Sequence, residues 1–200
     1  MPRTKEAFEV MRETTRQKIE TAALSLFARK GLTVKVGEIA KASGVSQGLM
    51  YSHYPSKDAL IAELVRQATV ISGKIIMDFS KSGGAADGKI KNISSMMCQM
   101  FSEAPIGIDY FMFMTQVGMS GFQLPEEARY QTELPNPAES LASIVAQGQA
   151  EGSAVQGDPF DLSLVYWAVI QGLCCYAVTG IPVSPDPRMM NRILLKEDFL

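Results

Sequence analysis

The side chains with the most distinctive chemistry lie close together, in the segment SQGLMYSHYPSK at positions 46–57. The amide of Gln47 can donate and accept at once, which allows a bidentate pair with N6 and N7 of adenine. Leu49 suits a thymine methyl group, whereas the Tyr51 hydroxyl and the Lys57 ammonium suit phosphate oxygens. His53, the only histidine of the chain, offers a ring nitrogen to a phosphate or a base. Together these groups favour contact with duplex DNA.

Each of these side chains also has a plainer interpretation. Gln47 fits a solvated glutamine in the first turn of a helix, and Leu49 fits an ordinary core leucine. Tyr51 fits a core aromatic residue, and Lys57 a solvated lysine near a helix start. These alternatives stay open as long as only the residue types are considered.

Enzyme chemistry is not supported by any motif in the chain. A single histidine excludes zinc sites built on a histidine pair and argues against a Ser-His-Asp triad. The patterns GxSxG, CxxC, GxGxxG and the phosphate-binding P-loop are all absent from the sequence. We therefore predict a non-enzymatic protein without a metal ion or a cofactor.

Two short helices joined by a tight turn would position the segment. Ile39 belongs to the apolar face of the first helix, and Gly44 ends that helix because glycine adopts the left-handed conformation without a Cβ penalty. Ser46 is a favourable N-cap for the second helix, in which Met50 and Tyr54 lie four residues apart and face the first helix. This pattern predicts a helix-turn-helix, whose second helix enters the major groove of DNA.

The segment IAKASGVSQGLMYSHYPSKDAL resembles the DNA-binding signature of the TetR (tetracycline repressor) family, whose usual form is IAxxAGVSxGxxYxHFxSKxxL. The resemblance covers about fifty residues, from near Thr14 to Leu64. It implies a homodimeric transcription regulator, usually a repressor, that binds an operator in double-stranded DNA and responds to a small-molecule effector. With the residue chemistry above, it predicts DNA contacts from Thr33, Lys35, Ser46, Gln47, Gly48, Leu49, Tyr51, Ser52, His53 and Lys57.

Two positions depart from the family pattern. The family usually has Thr or Ser as the cap of the first motif helix, where this chain has Lys35. Either Thr33 supplies the cap instead, or Lys35 meets a phosphate. Gly37 lies where some members carry a longer polar side chain that helps to read the DNA site, so we expect that contact to be absent.

The charge is divided unevenly along the 200 residues, although the net charge is only −2 and the isoelectric point is near 5.5. Residues 1–58 carry ten basic and six acidic side chains, and the rest carries nine basic and fifteen acidic ones. Charges act over a Debye length of about 10 Å, so phosphates would sense the local basic excess. This distribution predicts DNA binding at one end only.

Apolar periodicity predicts an all-α fold with two domains. We expect a three-helix, helix-turn-helix DNA-binding domain at 1–57 and a helical domain for effector binding and dimerisation at 58–200. Residues 121–137 are rich in proline and predict a short helix mixed with loop. Outside the motif, helices are predicted near 14–30, 56–80, 89–103, 106–119, 138–150 and 159–179, with a short last helix ending near 195.

The segment 162–181 holds twenty residues without a charge, which is long enough for a transmembrane helix. Polar residues inside it, no flanking Lys or Arg, and the preceding Asp158 and Asp161 argue against membrane insertion. We prefer the interpretation in which such a helix, apolar on all sides, meets the core on one face and a second copy of the chain on the other. Trp167, Ile170, Cys174 and Met190 are candidates for that seam or for the core behind it.

Methionines and aromatic residues are frequent in the body of the chain. Flexible, polarizable methionines suit pockets for irregular apolar ligands as a set, although core packing is the better explanation of any single one of them. We expect an effector cavity between helices near 96–119 and 162–175, for an apolar or weakly polar ligand. Its predicted lining is Met96, Met100, Phe101, Phe111, Met114, Tyr166, Trp167 and Ile170.

The three cysteines, Cys98, Cys174 and Cys175, are odd in number and lie in apolar runs. We interpret all three as reduced core residues of a cytoplasmic protein. The charged amino terminus has no apolar run typical of a signal peptide. The alternative function is a helical small-molecule-binding or enzymatic protein with a vestigial helix-turn-helix, and a membrane-anchored protein is a third.

Overall fold

The computed structural model describes residues 5–103, 105–123 and 136–200. Within these ranges every regular element is helical, and one isolated bridge pairs Ala154 with Leu195. The all-α prediction is confirmed. The helices are α1 Lys5–Lys30, α2 Val36–Ser43, α3 Gln47–His53, α4 Lys57–Lys81, α5 Ala86–Ser102, α6 Pro105–Ser120, α7 Pro137–Glu151, α8 Pro159–Val178 and α9 Pro187–Asn191, followed by a 3-10 turn at Glu197–Phe199.

The first buried cluster, which we call the head core, joins α1 to α4. It also takes Phe113 from α6, whose ring stacks on that of Phe27 with the centroids 5.9 Å apart. Burial of each large apolar side chain contributes about 1.5–3 kcal/mol, so these residues hold the motif helices in place. The buried members are Ile19, Ala23, Leu24, Phe27, Val34, Ile39, Ala40, Met50, Tyr54, Leu60, Ile61, Leu64, Val65 and Phe113.

The second cluster, the body core, joins α5 to α9. Its centre is the fully buried Tyr166, whose hydroxyl lies 3.1 Å from the Oγ atom of Ser94. Ile170, Cys174 and Met190 belong to this cluster, so they lie in the core rather than in an exposed seam.

Helix α6 connects the two cores because it contacts both. Phe113 enters the head core while Met112, the preceding residue, enters the body core. An ion pair of 2.8 Å between Arg29 and Asp109 adds a polar tie between α1 and α6. The head therefore rests on the body through α6 as well as through α4.

Two helices begin earlier than the sequence pattern predicts. Helix α1 begins at Lys5 rather than near Thr14, and α5 begins at Ala86 rather than near residue 89. The second difference has a tertiary cause, since the carboxylate of Glu151 on α7 accepts the backbone N–H of Ala86 at 2.8 Å. The predicted mixture of helix and loop at 121–137 lies mostly outside the described residues.

The cysteine prediction is right for two residues and wrong for the third. Cys98 and Cys174 are buried and Cys175 is exposed, and all three are free thiols. Consecutive residues of a helix point about 100° apart, so an inward Cys174 turns Cys175 outward. Burial raises the pKa of Cys174 to about 12, which keeps that thiol protonated.

By length and composition alone, α8 could cross a membrane, and it is the one described helix of which this is true. The core helix of a soluble protein meets the same criterion, so length and composition do not distinguish such a helix from a transmembrane one.

Candidate nucleic-acid interface

Local signals build the turn between α2 and α3 as the sequence predicts. Gly44 has a φ of 71°, and the N–H of the next residue, Val45, donates to the carbonyl of Ala40 at 3.0 Å. Ser46 caps α3, because its Oγ atom accepts the N–H of Leu49 at 3.1 Å. The helix-turn-helix is therefore present where it was predicted.

The start of α2 is stabilised in a different way from the one predicted. Lys35 occupies the N-cap position, so Thr33 does not cap this helix. A lysine side chain has no acceptor, and the carboxylate of Glu38 instead reaches back to the Lys35 N–H at 3.0 Å. This hydrogen bond, together with the ammonium of Lys30 at 3.1 Å, holds the pKa of Glu38 below its usual range.

The inner face of α3 is anchored to α1. Met50 and Tyr54 are buried in the head core, as predicted from their spacing. The Tyr54 hydroxyl donates a hydrogen bond to the buried carboxylate of Glu20 on α1. Burial, with the carboxylate of Glu20 as a second cause, raises the pKa of Tyr54, so the phenol remains a donor.

The outer face of α3 is open to solvent. Leu49 is 43% exposed and Tyr51 is 48% exposed, so neither residue is part of a core. Ser46, Gln47, Gly48 and Ser52 are exposed as well, and His53 is half-buried. The Ser52 hydroxyl donates to the carbonyl of Leu49 at 2.7 Å and leaves its lone pairs free to accept. Of the predicted DNA contacts outside α3, Thr33 and Lys35 are exposed and Lys57 is half-buried.

Lys57 has a structural partner that the sequence did not suggest. Its ammonium donates to the carbonyls of Leu32 at 2.7 Å and Val34 at 3.4 Å, which ties the start of α4 to the loop between α1 and α2. An ammonium has three donors, so one is left for a phosphate. The predicted contact to DNA is compatible with this position and stays a prediction.

The side chain of Gln47 lies over Gly37 on α2. A Cβ atom added at Gly37 would come within 2.7 Å of the Nε2 atom of Gln47. Gln47 is a residue that the sequence predicts to read a base, whereas the sequence links Gly37 only to a missing contact.

A chain of polar side chains between head and body was missed by the sequence analysis. Gln67 on α4 accepts from the Tyr110 hydroxyl on α6 at 2.8 Å and donates to Glu63 at 2.9 Å. Glu63 also receives two hydrogen bonds from Arg66, the shorter of 2.7 Å, and these are the main cause that lowers its pKa. Arg16 on α1 lies 3.8 Å from Glu63 and extends the chain towards the head. The sequence signal that could have revealed this series of polar side chains is the presence of charged residues such as Arg16 within α1.

The predicted effector residues come together only in part. Trp167 stacks on Phe111 with centroids 6.2 Å apart and stands edge-on to Tyr166 at 5.5 Å. Met100, Phe101 and Ile170 join the same body core. Met114 instead packs against the head core, and Met96 is half-buried outside both described clusters. Tyr166 and Ile170 are fully buried, and the role of the predicted lining residues in effector binding stays a prediction.

Trp167 has one unusual feature, because its Nε1 atom is buried and has no hydrogen-bond partner among the described residues. A buried N–H without an acceptor costs about 1–3 kcal/mol. An open groove of about 570 Å³ lies between α1 and α2, beside Lys18, Thr21 and Ser43, and includes none of the predicted effector residues.

Comparison with known families identifies the head. The family described as bacterial regulatory proteins, tetR family, matches residues 19–64. The HTH-type transcriptional regulator AcrR of Shigella flexneri is 35% identical over 68 residues, which are 34% of this chain and 32% of that protein. The match thus spans about a third of the relative's length.

Solved structures share the fold over most of the chain. The MbdR regulator from Azoarcus sp. CIB superposes with a TM-score of 0.72 at 19% identity, covering 91% of this chain and 97% of the other. A transcriptional regulator from Saccharomonospora viridis, in complex with choline, gives 0.63 at 19% identity, with coverage of 92% and 100%. Identities this low concern the fold alone. The match at 19–64 and the helix-turn-helix seen there make the head of this chain similar to the DNA-binding region of the tetR family of bacterial regulatory proteins.

Proposed function

We propose that this protein is a homodimeric, non-enzymatic transcription regulator of the cytoplasm, which binds operator DNA through α3 and responds to a small effector. The observation that carries the proposal is the open face of α3. Leu49 and Tyr51 keep apolar surface in water, beside the exposed amide of Gln47, on the helix that a helix-turn-helix presents to the major groove. A face of this kind is suited to contact with another surface.

The charge distribution supports the same use. The basic excess of residues 1–58 lies on the part of the chain that contains α3. Exposed Lys35 and the remaining donor of Lys57 flank the motif and can meet phosphates, which fix position, while Gln47 and Leu49 read base edges.

Exposed apolar side chains on helix α8 support the proposed homodimer. Leu164, Val165, Ala168, Val169 and Tyr176 are exposed on this helix at helical spacing, and Val165 and Tyr176 are 53% and 58% exposed. An apolar stripe opposite the body core is suited to pair with its own copy about a two-fold axis. Two heads would then occupy half-sites of a near-palindromic operator, about 34–36 Å apart.

The effector would bind beside Trp167 and Phe111 in the body. The surroundings are apolar and aromatic, which suits an apolar ligand. The Nε1–H of Trp167, which has no acceptor in the described part of the chain, fits a ligand that carries one hydrogen-bond acceptor. The relative from S. viridis holds choline, so a small molecule is compatible with this fold.

Helix α6 would transmit the effector signal. The effector would also tilt α4, the helix that begins after its cap Ser56. Phe111 on α6 touches Trp167, whereas Phe113, two residues on, lies in the head core. A ligand that displaces Phe111 moves α6 against α1 and changes the separation of the heads. As a repressor, the protein would release DNA because the effector binds the released state more tightly.

The test is selection of binding sites from random duplex DNA with the full chain, followed by affinity measurements at several salt concentrations. We expect a near-palindromic site, and a plot of log K against log[salt] with a steep negative slope. Lys35→Ala should reduce that slope by about one, whereas Lys41→Ala, at the other end of α2, should not. Absence of any selected sequence, with a flat salt dependence, would favour a small-molecule-binding protein with a vestigial head.

A further inference from the structure

Gly37 occupies a position where the backbone does not require glycine. It lies within α2, and its φ is not among the positive values found at other glycines of the described chain. Glycine inside a helix is less favourable than alanine because it loses more conformational freedom on folding. The surroundings of the Cα atom, rather than the backbone conformation, therefore distinguish glycine from alanine at this position.

The space above Gly37 is occupied by the amide of Gln47. An added Cβ would lie 2.7 Å from Nε2 and 3.7 Å from Cδ of that side chain, and the first distance is shorter than real Cβ contacts. Among the other glycines of described helices, Gly107 and Gly148 also have a neighbour closer than 3.0 Å to an added Cβ, but those neighbours, Met100 and Ala154, lie outside the recognition helix α3. At Gly88 and Gly118 an added Cβ meets nothing within 4 Å.

The amide of Gln47 lies beside Gly37 and is chemically unused. Its side chain is exposed and makes no hydrogen bond with the described residues, and the surface of α2 at Gly37 is what the amide lies against. An amide in this state has a donor and an acceptor free for a base edge, and adenine offers the matching pair in the major groove.

We propose that Gly37 is a specificity-determining residue that acts through Gln47. By leaving the surface of α2 bare, it lets the amide lie against that helix and so determines which base pair of each half-site the amide reads. The base recognised there is adenine. The proposal rests on the proposed DNA-binding function and adds a positioning residue to it.

Alanine at this position would move the amide without disturbing the fold. The atom that the new Cβ meets is the far end of a flexible side chain, so the amide yields and the backbone stays. It must withdraw from 2.7 Å to at least 3.4 Å, where ordinary contact begins. Such a shift is enough to break a bidentate pair, whose two hydrogen bonds require alignment.

The experiment compares DNA selected by the full-length wild type, Gly37→Ala, Gln47→Ala and the double variant, with Gly88→Ala as the matched control. Gln47→Ala identifies the position that the amide reads, because adenine preference is lost there. We expect Gly37→Ala to lower that preference by about tenfold at the same position and at no other. The double variant should equal Gln47→Ala, and Gly88→Ala should equal the wild type.

Thermal unfolding separates positioning from a structural role. Gly37→Ala should unfold at or above the wild-type temperature, since alanine favours the helix. The proposal is overturned if Gly37→Ala keeps the wild-type preference at the Gln47 position, or changes other positions instead. If the wild type selects no sequence at all, the DNA-binding function itself fails, which is a different result.

Discussion

The hydroxyl of Tyr110 on α6 donates a hydrogen bond to the Oε1 atom of Gln67 on α4, at 2.8 Å. Burial raises the pKa of Tyr110, so the phenol keeps its proton and remains a donor. The Gln67 amide in turn donates a hydrogen bond to Glu63, and the guanidinium of Arg16 on α1 lies near the same carboxylate. The two helices proposed to carry the effector signal are thus joined by one polar chain that ends at the head.

Tyr110→Phe should weaken the coupling between effector and DNA more than either binding event alone. The variant removes one hydrogen bond, which contributes about 0.5–1.5 kcal/mol, and keeps the ring in place. We expect DNA affinity without effector to stay within about threefold of the wild type, whereas the ratio of affinities with and without effector falls. Titration of labelled operator DNA in both conditions measures this ratio. An unchanged ratio would show that the hydrogen bond from Tyr110 to Gln67 does not transmit the effector signal.

Tyr54→Phe and Tyr51→Phe should affect different properties, although the two residues lie only three positions apart: the first should lower stability and the second should weaken DNA binding. Removing the buried Tyr54 hydroxyl deprives the Glu20 carboxylate of a donor and should lower the free energy of unfolding by about 1–3 kcal/mol. The exposed Tyr51 hydroxyl has no partner of this kind among the described residues, so its loss should leave stability unchanged and weaken DNA binding alike for all sequences. Urea unfolding and operator titration of both variants provide the comparison. Equal stability of the two variants would contradict the role assigned to Glu20.

The stability of the head should fall at acidic pH through Glu63. Hydrogen bonds from Arg66 lower the pKa of Glu63 in the folded protein, so the unfolded state binds more protons there. Its contribution is therefore present above the unfolded pKa of about 4.3 and is lost as pH falls through the folded value. Urea unfolding from pH 6 to pH 3 should show a smaller loss for Glu63→Gln than for the wild type. If Glu63→Gln and the wild type lost stability equally between pH 6 and pH 3, Glu63 would not be a cause of the acid sensitivity.

Val165→Asp should break the proposed dimer. Val165 lies on the exposed apolar stripe of α8, and a carboxylate there would be buried without a partner in a paired interface. We expect light scattering to show a monomer and operator affinity to fall by at least tenfold. Val70→Asp, at an exposed valine of α4, is the control and should remain dimeric. A wild-type chain that is monomeric at micromolar concentration would contradict the proposal for α8.

Much of the head could be predicted from the sequence because its signals act over a few residues. Gly44 ends α2, Ser46 caps α3 and Ser56 caps α4, and each does so through atoms within four positions of itself. The burial of Met50 follows from the four-residue period of a helix packed on one side. These local rules determined the all-α fold, the helix-turn-helix and the outward face that carries Gln47.

Only the tertiary structure decided which residues from distant parts of the chain meet. Met114 turned to the head core and Cys175 to solvent, because the orientation of a helix depends on what packs against it. The contact of Gln47 with Gly37 and the bond from Tyr54 to Glu20 join separate helices, so no local pattern encodes them. The sequence determined the elements and their inward faces, whereas packing between elements decided the partners of the individual side chains.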